Sequence, residues 1–219
     1  SLIAMFTVKE KFDAKAAAAK PNVSIVGGLK TLGKTRQLPA LFAGTVLIQF
    51  SMLSSMPLIP LFVQELHGKD AMLAFFSGLV GSVTGFSNML ASPLLGKLGD
   101  RIGSERGLGL SLVGAAVMFV PQAFVHNVWQ LLTARFFLGV FMGGLLPTVN
   151  ALIRKYTPDG MESRAYSFNT SFLSLGNLIG PTLGGVFSGL IGIRGIFLCA
   201  SALLAMNAVW VKMTLLKGK

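Results

Sequence analysis

The sequence predicts an all-α integral membrane protein with six transmembrane helices. Of its 219 residues, 53% are hydrophobic and only 12% are charged, whereas about a quarter of the residues in a soluble domain are charged. The mean hydropathy is +0.69, and the apolar residues form long continuous runs. Because these runs do not alternate with polar residues, they exclude the strands of a membrane β-barrel. Helices remain, since in lipid each segment must hydrogen-bond its own backbone.

Six runs are long enough to span a bilayer. A hydrocarbon core of about 30 Å requires about 20 residues at about 1.5 Å per residue. The runs between charged breaks are Leu38–Phe62, Met72–Leu95, Gly107–Val125, Trp129–Ile153, Ala165–Leu190 and Gly195–Val211. We expect residues 38–211 to form one six-helix transmembrane domain, followed by a cytoplasmic C-terminal tail over residues 212–219.

The segment ahead of the first span divides into two parts. Residues 9–37 are basic and rich in alanine, which predicts a cytoplasmic connector between two domains. Residues 1–8, SLIAMFTV, are apolar but too short to span, and they lack the basic start and cleavage site of a signal peptide. We interpret them as the end of a preceding transmembrane helix; an interfacial segment is the alternative.

The distribution of basic residues predicts the orientation. Sixteen of the 19 lysines and arginines lie in the leading tail, the second and fourth loops and the C-terminus. The opposite loops contain Lys69 and Arg194, and Arg135 lies inside a span. Because basic loops are retained on the cytoplasmic side, we expect a multi-pass protein of the inner (plasma) membrane with both termini cytoplasmic.

Charge and composition argue against several other classes of protein. The net charge of +11 could suggest nucleic-acid binding, but the bases lie between apolar runs rather than on a solvated face. One cysteine and two histidines argue against a disulfide framework and a metal site. We find no grouped nucleophile, base and acid and no phosphate-binding loop, so we expect neither an enzyme nor a bound cofactor.

The second loop contains the pattern G-x-L-x-D-R-x-G, formed by Gly96, Asp100, Arg101 and Gly103 and followed by Arg106. We interpret it as a tight turn, in which glycine permits a close backbone approach or a positive φ. The carboxylate of Asp100 can accept hydrogen bonds from a helix N-terminus or pair with arginine. An ordinary basic loop is the alternative.

The fourth span contains a charged side chain at membrane depth. Arg135 and Gly139 form the pattern L-x-x-x-R-x-x-x-G. An unpaired arginine at the centre of a bilayer costs at least about 2.5–3.5 kcal/mol, so we expect Arg135 to face a partner or a cavity. Alternatively, its long side chain reaches the membrane interface.

The fifth span contains the pattern G-x-x-x-G-P-x-x-G-G, formed by Gly176, Gly180, Pro181, Gly184 and Gly185. Glycines four residues apart present a smooth face against which another helix packs closely, and Pro181 removes a backbone donor. Generic helix packing is the alternative interpretation.

Together these three patterns resemble signatures of the major facilitator superfamily, and within it of the drug:H⁺ antiporters. The resemblance covers nearly the whole chain, which is similar to the C-terminal half of a twelve-helix multidrug efflux carrier. Ser104 and Glu105 depart from the loop signature, which usually has a basic residue at this point, and Arg106 remains as the main distal base.

The resemblance implies an architecture and partners. Such a half consists of two inverted three-helix repeats. It implies that the first and fourth spans line a central cavity, the second and fifth meet the other half, and the third and sixth face lipid. The implied partners are the lipid bilayer, the N-terminal six-helix half of the same transporter, a small-molecule substrate and protons.

Polar, aromatic and methionine side chains at membrane depth are the candidates to line the substrate cavity. They are Gln49, Met52, Met56, Phe137, Phe141, Asn150 and Asn169. Methionine and phenylalanine repack around varied lipophilic ligands. All eight acidic residues lie in loops or at their edges, so we expect the coupling carboxylate of an antiporter to come mainly from the N-terminal half.

Three alternatives stay open at this point. A sugar or metabolite carrier of the same superfamily should have more fixed polar groups in the first and fourth spans. A self-contained six-helix protein could dimerise as a small carrier or channel. A non-transporting membrane scaffold or receptor would lack a cavity.

Overall fold

The computed structural model describes residues 25–68 and 71–216, apart from the side chains of Ile25, Val26, Asp100 and Leu216. This part of the chain is helical, with eight α-helices and no strand. The helices are α1 Ile25–Gly33, α2 Gln37–Ser55, α3 Ile59–His67, α4 Leu73–Ile102, α5 Ser104–Gln122, α6 Val128–Met142, α7 Leu145–Tyr156 and α8 Glu162–Val211. The expected helix end at residues 1–8 lies outside the described residues, and α1 lies within the expected connector.

By length and composition, four helical ranges of the described chain could cross a membrane. They are Gln37–His67, Leu73–Gly99, Val128–Tyr156 and Glu162–Leu215. The last range contains two segments, because Gly192 leaves the helical region with φ 72° and ψ 169°. The helix α5 is 19 residues long, and its first turn is charged. The described chain therefore makes six helical passes: α2 with α3, α4, α5, α6 with α7, residues 162–191 and residues 193–211.

The two segments of α8 run in opposite directions along α2. In the first segment, Gly176 lies beside Gln49 and Gly184 lies beside Ser54, so this segment runs parallel to α2. In the second segment, Asn207 binds the carbonyl oxygen of Gly44, near the start of α2. The chain therefore reverses at Gly192, where a positive φ favours glycine.

The packing of the six passes has an internal symmetry. The fifth pass lies on the first through Gly176 and Gly184, and the fourth lies on the second through Gly139. The sixth lies on the third, where the Ser201 hydroxyl donates to the carbonyl oxygen of Ala116 at 2.8 Å. Exchanging the first three passes with the last three reproduces these pairs, as expected of two inverted three-helix repeats.

The first and fourth passes each contain one irregular turn, although the backbone keeps right-handed helical angles at both. A 3₁₀ turn at Met56–Leu58, with Pro57, separates α2 from α3. Gly143 and Gly144 separate α6 from α7. These two passes occupy equivalent positions in the two repeats.

The turn between α4 and α5 is shorter than the loop pattern suggested. The helix α4 continues to Ile102, past Gly96 and Arg101, and α5 begins at Ser104. Gly103 alone makes the turn, with φ 92° and ψ 136°. A residue with a Cβ atom rarely adopts this conformation, so Gly103 requires the backbone freedom that the sequence suggested.

Candidate functional site

Arg135 lies inside the bundle rather than at its surface. Only 3% of the residue is exposed. Its Nη2 atom donates to the Ser55 Oγ atom at 3.3 Å, and its Cζ atom lies 5.8 Å from the ring centre of Phe197. The Nε atom is buried without a hydrogen-bond partner. A hydroxyl and an aromatic face are modest partners for a buried guanidinium, so this group keeps unused capacity to bind an acceptor.

A cavity of about 160 Å³ lies beside Arg135, lined by the first, second and fourth passes and by Phe119 of the third. Its lining includes Met52, Met56, Thr84, Asn88 and Met142. Met52 and Met56 are among the expected cavity residues, whereas Thr84 and Asn88 come from a pass expected to meet the other half. Three methionines give the cavity an adaptable apolar wall, and Arg135 gives it a positive charge.

Gly139 places Arg135 beside the second pass. A Cβ atom on Gly139 would lie 2.0 Å from the Ser87 Oγ atom and 2.3 Å from the Thr84 carbonyl oxygen. Gly143 repeats this close approach one turn later, where a Cβ atom would lie 2.9 Å from the carbonyl oxygen of Asn88. The pattern formed by Arg135 and Gly139 therefore places a charged side chain one turn from the point where α6 packs closely on α4.

The glycine row of the fifth pass packs against the first pass. A Cβ atom would lie 2.8 Å from the Gln49 Cβ atom if placed on Gly176, and 3.2 Å from the Leu53 Cβ atom if placed on Gly180. On Gly184 it would lie 2.2 Å from the Ser54 carbonyl oxygen.

Gly185 and Pro181 belong to the same sequence pattern but not to the glycine row that contacts the first pass. Gly185 has open space at the same position, so it lies outside this contact. The helix continues across Pro181, and the chain reverses at Gly192 instead.

In the loop pattern, a different pair of glycines makes the close approach. Gly96 has no atom within 4 Å of an added Cβ atom, whereas a Cβ atom on Gly107 would lie 3.1 Å from the Gly99 Cα atom. Arg101 and Arg106 are exposed. The side chain of Asp100 is outside the described residues, and so is its expected pairing.

Glu105, the departure from the loop signature, has the clearest partners at this end of the bundle. It forms an ion pair with Lys155 and accepts a hydrogen bond from the Tyr156 hydroxyl at 2.8 Å. Burial alone would raise the pKa of Glu105, but hydrogen bonds from Lys155, from its own backbone N–H and from Tyr156, together with the lysine charge, outweigh burial, and the pKa is lowered. This contact joins the start of the third pass to the end of the fourth.

A chain of polar side chains joins the first, fifth and fourth passes. The Thr45 hydroxyl donates to the Asn169 Oδ1 atom at 2.8 Å, and the Asn169 Nδ2 atom donates to the Asn150 Oδ1 atom at 3.4 Å. Asn150 and Asn169, expected to line the cavity, therefore contact each other. Asn207, which belongs to none of the three sequence patterns, is fully buried and donates to the Gly44 carbonyl oxygen at 3.1 Å.

The other expected cavity residues lie apart from Arg135. The Gln49 Oε1 atom is buried without a partner. Phe137 is 48% exposed and lines an open groove of about 690 Å³ with Trp129. Phe141 packs against Gly114 of the third pass, where a Cβ atom would lie 2.2 Å from its ring.

Some of these contacts leave a signal in the sequence and others do not. Asn207 is a lone amide in an apolar run, and Thr84 and Asn88 are four residues apart on one helix face. The contact between Glu105 and Lys155 joins residues 50 positions apart, and no local pattern marks it. Among the described residues, no three histidine, cysteine or acidic side chains group as a metal site.

Comparison with known proteins identifies relatives over almost the whole chain. The family model of the Major Facilitator Superfamily matches residues 13–217. The multidrug resistance proteins MdtG of Salmonella arizonae and Salmonella paratyphi B are each 34% identical over 209 residues, covering 95% of this chain and 51% of the relative. The chain thus spans about half the length of these curated relatives. Segments such as PLIPLFVQEL and LLGKLGDRIG already suggested the MdtG type, and the comparison confirms that resemblance.

Solved structures share the same fold. The fucose:proton symporter FucP of E. coli superposes with a TM-score of 0.76 at 16% identity, covering 97% of this chain and 52% of the other. The human organic anion transporter MFSD10 superposes with a TM-score of 0.71 at 20% identity, covering 82% of this chain and 47% of the other. At these identities the likeness concerns the fold alone, and it agrees with the six-helix half expected from the sequence.

Proposed function

This chain belongs to the Major Facilitator Superfamily, and we propose that it forms the C-terminal half of a proton-coupled secondary transporter that exports lipophilic small molecules by alternating access. The observation that carries the proposal is the cavity of about 160 Å³ beside Arg135, which is this half's part of a site that the other half would enlarge to the volume of about 300–1,000 Å³ that is usual for ligand pockets. Carriers of this kind bind their cargo between their helical repeats near the bilayer midplane, and the cavity is lined by residues of the first, second and fourth passes. Its methionine-rich wall suits ligands of varied shape.

The surface of the second and fifth passes supports the presence of another half. Gly78, Gly81 and Gly85 follow one another along α4, and an added Cβ atom on any of them would meet no atom within 4 Å; Gly81 and Gly85 also line the methionine-rich cavity. Large apolar side chains on the second and fifth passes are strongly exposed, including Leu94 at 69% and Leu178 at 71%. Rows of small residues allow helices in lipid to pack closely, so these faces suit six further helices.

Arg135 supports a role in coupling. A buried guanidinium with one hydroxyl contact and an unpartnered Nε atom can bind a carboxylate in one state of the carrier and release it in another. The four acidic side chains that the structure describes, Glu65, Glu105, Asp159 and Glu162, lie near helix ends or in turns. We therefore assign the proton-binding carboxylate to the N-terminal half.

In the proposed arrangement, both termini of this chain face the cytoplasm and the carrier lies in the inner membrane. The described cations Arg101, Arg106, Arg154 and Lys212 lie at one set of helix ends. Arg194 lies at the opposite set, where its Nε atom is 3.6 Å from the Glu65 Oε1 atom. The side with more cations is retained in the cytoplasm during insertion.

Efflux from energised cells tests the proposal. Cells are loaded with a lipophilic fluorescent dye, and dye retention is compared for the 219-residue chain alone, for the chain joined to an N-terminal six-helix half, and for empty cells. We expect efflux only from the joined form and its loss when a protonophore collapses the proton gradient. Efflux by the chain alone would favour a self-contained dimer, and transport of sugars without dye efflux would favour a metabolite carrier.

A further inference from the structure

A long groove runs along the contact between the third and sixth passes on the outer surface of the bundle. Its volume is about 570 Å³, within the range of about 300–1,000 Å³ that is usual for ligand pockets. The floor includes the buried Ala116 and Ala208, and the walls include the exposed Val113 and Val117. The Ser201 hydroxyl also lines the groove, but it already donates to the Ala116 carbonyl oxygen. The groove is therefore apolar along most of its length.

One end of the groove carries positive charge. Arg106, in the first turn of α5, and Lys212, directly after α8, both line it and are exposed. Glu105 lines the same end, but its carboxylate is engaged by Lys155 and Tyr156. Its charge is thus compensated from the fourth pass, and the end of the groove keeps two cations.

The dimensions match one leaflet of a bilayer. From Arg106 to Val120, the last lining residue of α5, about 14 residues rise about 21 Å. One leaflet with its headgroup region is about 20–22 Å thick, half of the bilayer thickness of about 40–45 Å. Trp210, which is 39% exposed, lies two residues before Lys212, and tryptophan is enriched at the membrane interface. The two cations therefore lie at headgroup level and the apolar groove at acyl-chain level.

We propose that this groove is a binding site for an anionic phospholipid, with the headgroup phosphate between Arg106 and Lys212 and one acyl chain along the groove. Charge complementarity identifies the occupant, because a zwitterionic lipid brings an ammonium group that opposes the two cations. A basic residue near an anionic membrane surface contributes about fivefold in affinity. The inference concerns the lipid-facing side of the bundle and does not depend on the proposed transport activity.

Native mass spectrometry tests the site directly. The purified full-length protein is released from nanodiscs that contain equal amounts of phosphatidylglycerol and phosphatidylethanolamine with identical palmitoyl and oleoyl chains. We expect phosphatidylglycerol to be retained preferentially. We expect Arg106→Gln and Lys212→Gln each to lower the retained ratio about fivefold, and the double variant to lose most of the preference. Arg154→Gln, which removes an exposed cation outside the groove, is the matched control.

A second variant tests the acyl-chain part of the site. Ala205 is an exposed lining residue, and Ala205→Phe fills the groove without changing a charge. We expect it to reduce the retention of both lipids, and a monomeric mass with an unchanged melting temperature shows that each variant is folded. Equal retention of the two lipids by the unmodified protein would overturn the proposal. An equal effect of Arg154→Gln, or a lipid-free dimer held through this face, would overturn it as well.

Discussion

Replacing either of two adjacent glycines with alanine isolates the contact between the first and fifth passes. An added Cβ atom on Gly184 would lie 2.2 Å from the Ser54 carbonyl oxygen, whereas on Gly185 it would meet nothing within 4 Å. Ordinary contact begins at 3.4 Å, so Gly184→Ala must separate the two backbones locally by about 1.2 Å, the difference between 3.4 and 2.2 Å. The acceptor is backbone, so no side-chain rotation can relieve this contact.

The expected magnitude follows from comparing the two variants. Both replacements gain the same helix propensity, about 1 kcal/mol for alanine over glycine. The difference between the unfolding free energies of the two variants therefore equals the steric cost of the methyl group at Gly184. Inserting a methyl group into a closely packed interface costs about 1–3 kcal/mol. We therefore expect the unfolding equilibrium constants of Gly184→Ala and Gly185→Ala to differ by about 5-fold to 150-fold, with Gly184→Ala less stable.

Reversible unfolding in mixed detergent micelles, followed by helical circular dichroism, measures this difference. The unmodified protein provides the reference, and Gly185→Ala is expected to match or exceed its stability. Equal stability of the two variants would show that the first and fifth passes do not approach as closely as described. The glycine row would then be irrelevant to this contact.

Four further predictions concern other contacts. Glu105→Gln should remove part of the stability that the ion pair with Lys155 provides. Because the pKa of Glu105 is lowered in the folded protein, this stabilisation is complete above the ordinary carboxyl pKa of 4.5 and is lost as the pH falls below that value. The variant should therefore flatten the acid side of a profile of stability against pH. Gly103→Ala should cost about 1–3 kcal/mol because of its positive φ, measured by thermal unfolding. Asn169→Ala should cost about 0.6–1.7 kcal/mol, whereas Ser167→Ala, whose hydroxyl bonds only within its own helix, should leave the melting temperature unchanged. Arg135→Lys should abolish most proton-coupled efflux at normal membrane abundance, because a single ammonium group does not replace a planar fork of donors; efflux equal to that of the unmodified carrier would show that charge alone is needed.

The helical spans were predictable because lipid imposes a strong constraint on sequence. A bilayer requires long apolar runs with internally bonded backbone, and the six predicted runs correspond to the six helical passes. The glycine row at Gly176, Gly180 and Gly184 was also visible, since residues four apart share one helix face. The energetic cost of a buried charge predicted that Arg135 faces inward, and it does so.

Contacts that depend on tertiary packing were not predictable. The sequence suggested that Gly96 allows close approach, but the backbones meet at Gly99 and Gly107, because the crossing point of two helices depends on how both are placed. The sequence predicted that Asn150 and Asn169 line the cavity, but it did not predict that they bind each other. Buried amides satisfy their own hydrogen bonds when geometry permits, and only the fold shows which partners are near.

The apolar runs also concealed where the helices become irregular. The first and fourth passes look like regular spans in sequence, since proline and glycine are common within membrane helices. At Met56–Leu58 and between α6 and α7 the backbone keeps helical angles and local hydrogen bonds, such as that from the Gly143 N–H to the Gly139 carbonyl oxygen. Each pass therefore remains continuous through its irregular turn.

Proton-driven dye transport by the reconstituted carrier tests the central proposal most directly, that the Arg135 cavity is the site of coupled transport. Liposomes containing the carrier with both halves receive an imposed pH gradient, and dye movement is followed by fluorescence for the unmodified form, for Arg135→Gln and for Arg154→Gln, an exposed control. We predict gradient-dependent transport by the unmodified carrier and by Arg154→Gln, and its loss in Arg135→Gln with normal folding and dye binding retained in part. Full gradient-driven transport by Arg135→Gln would contradict the account.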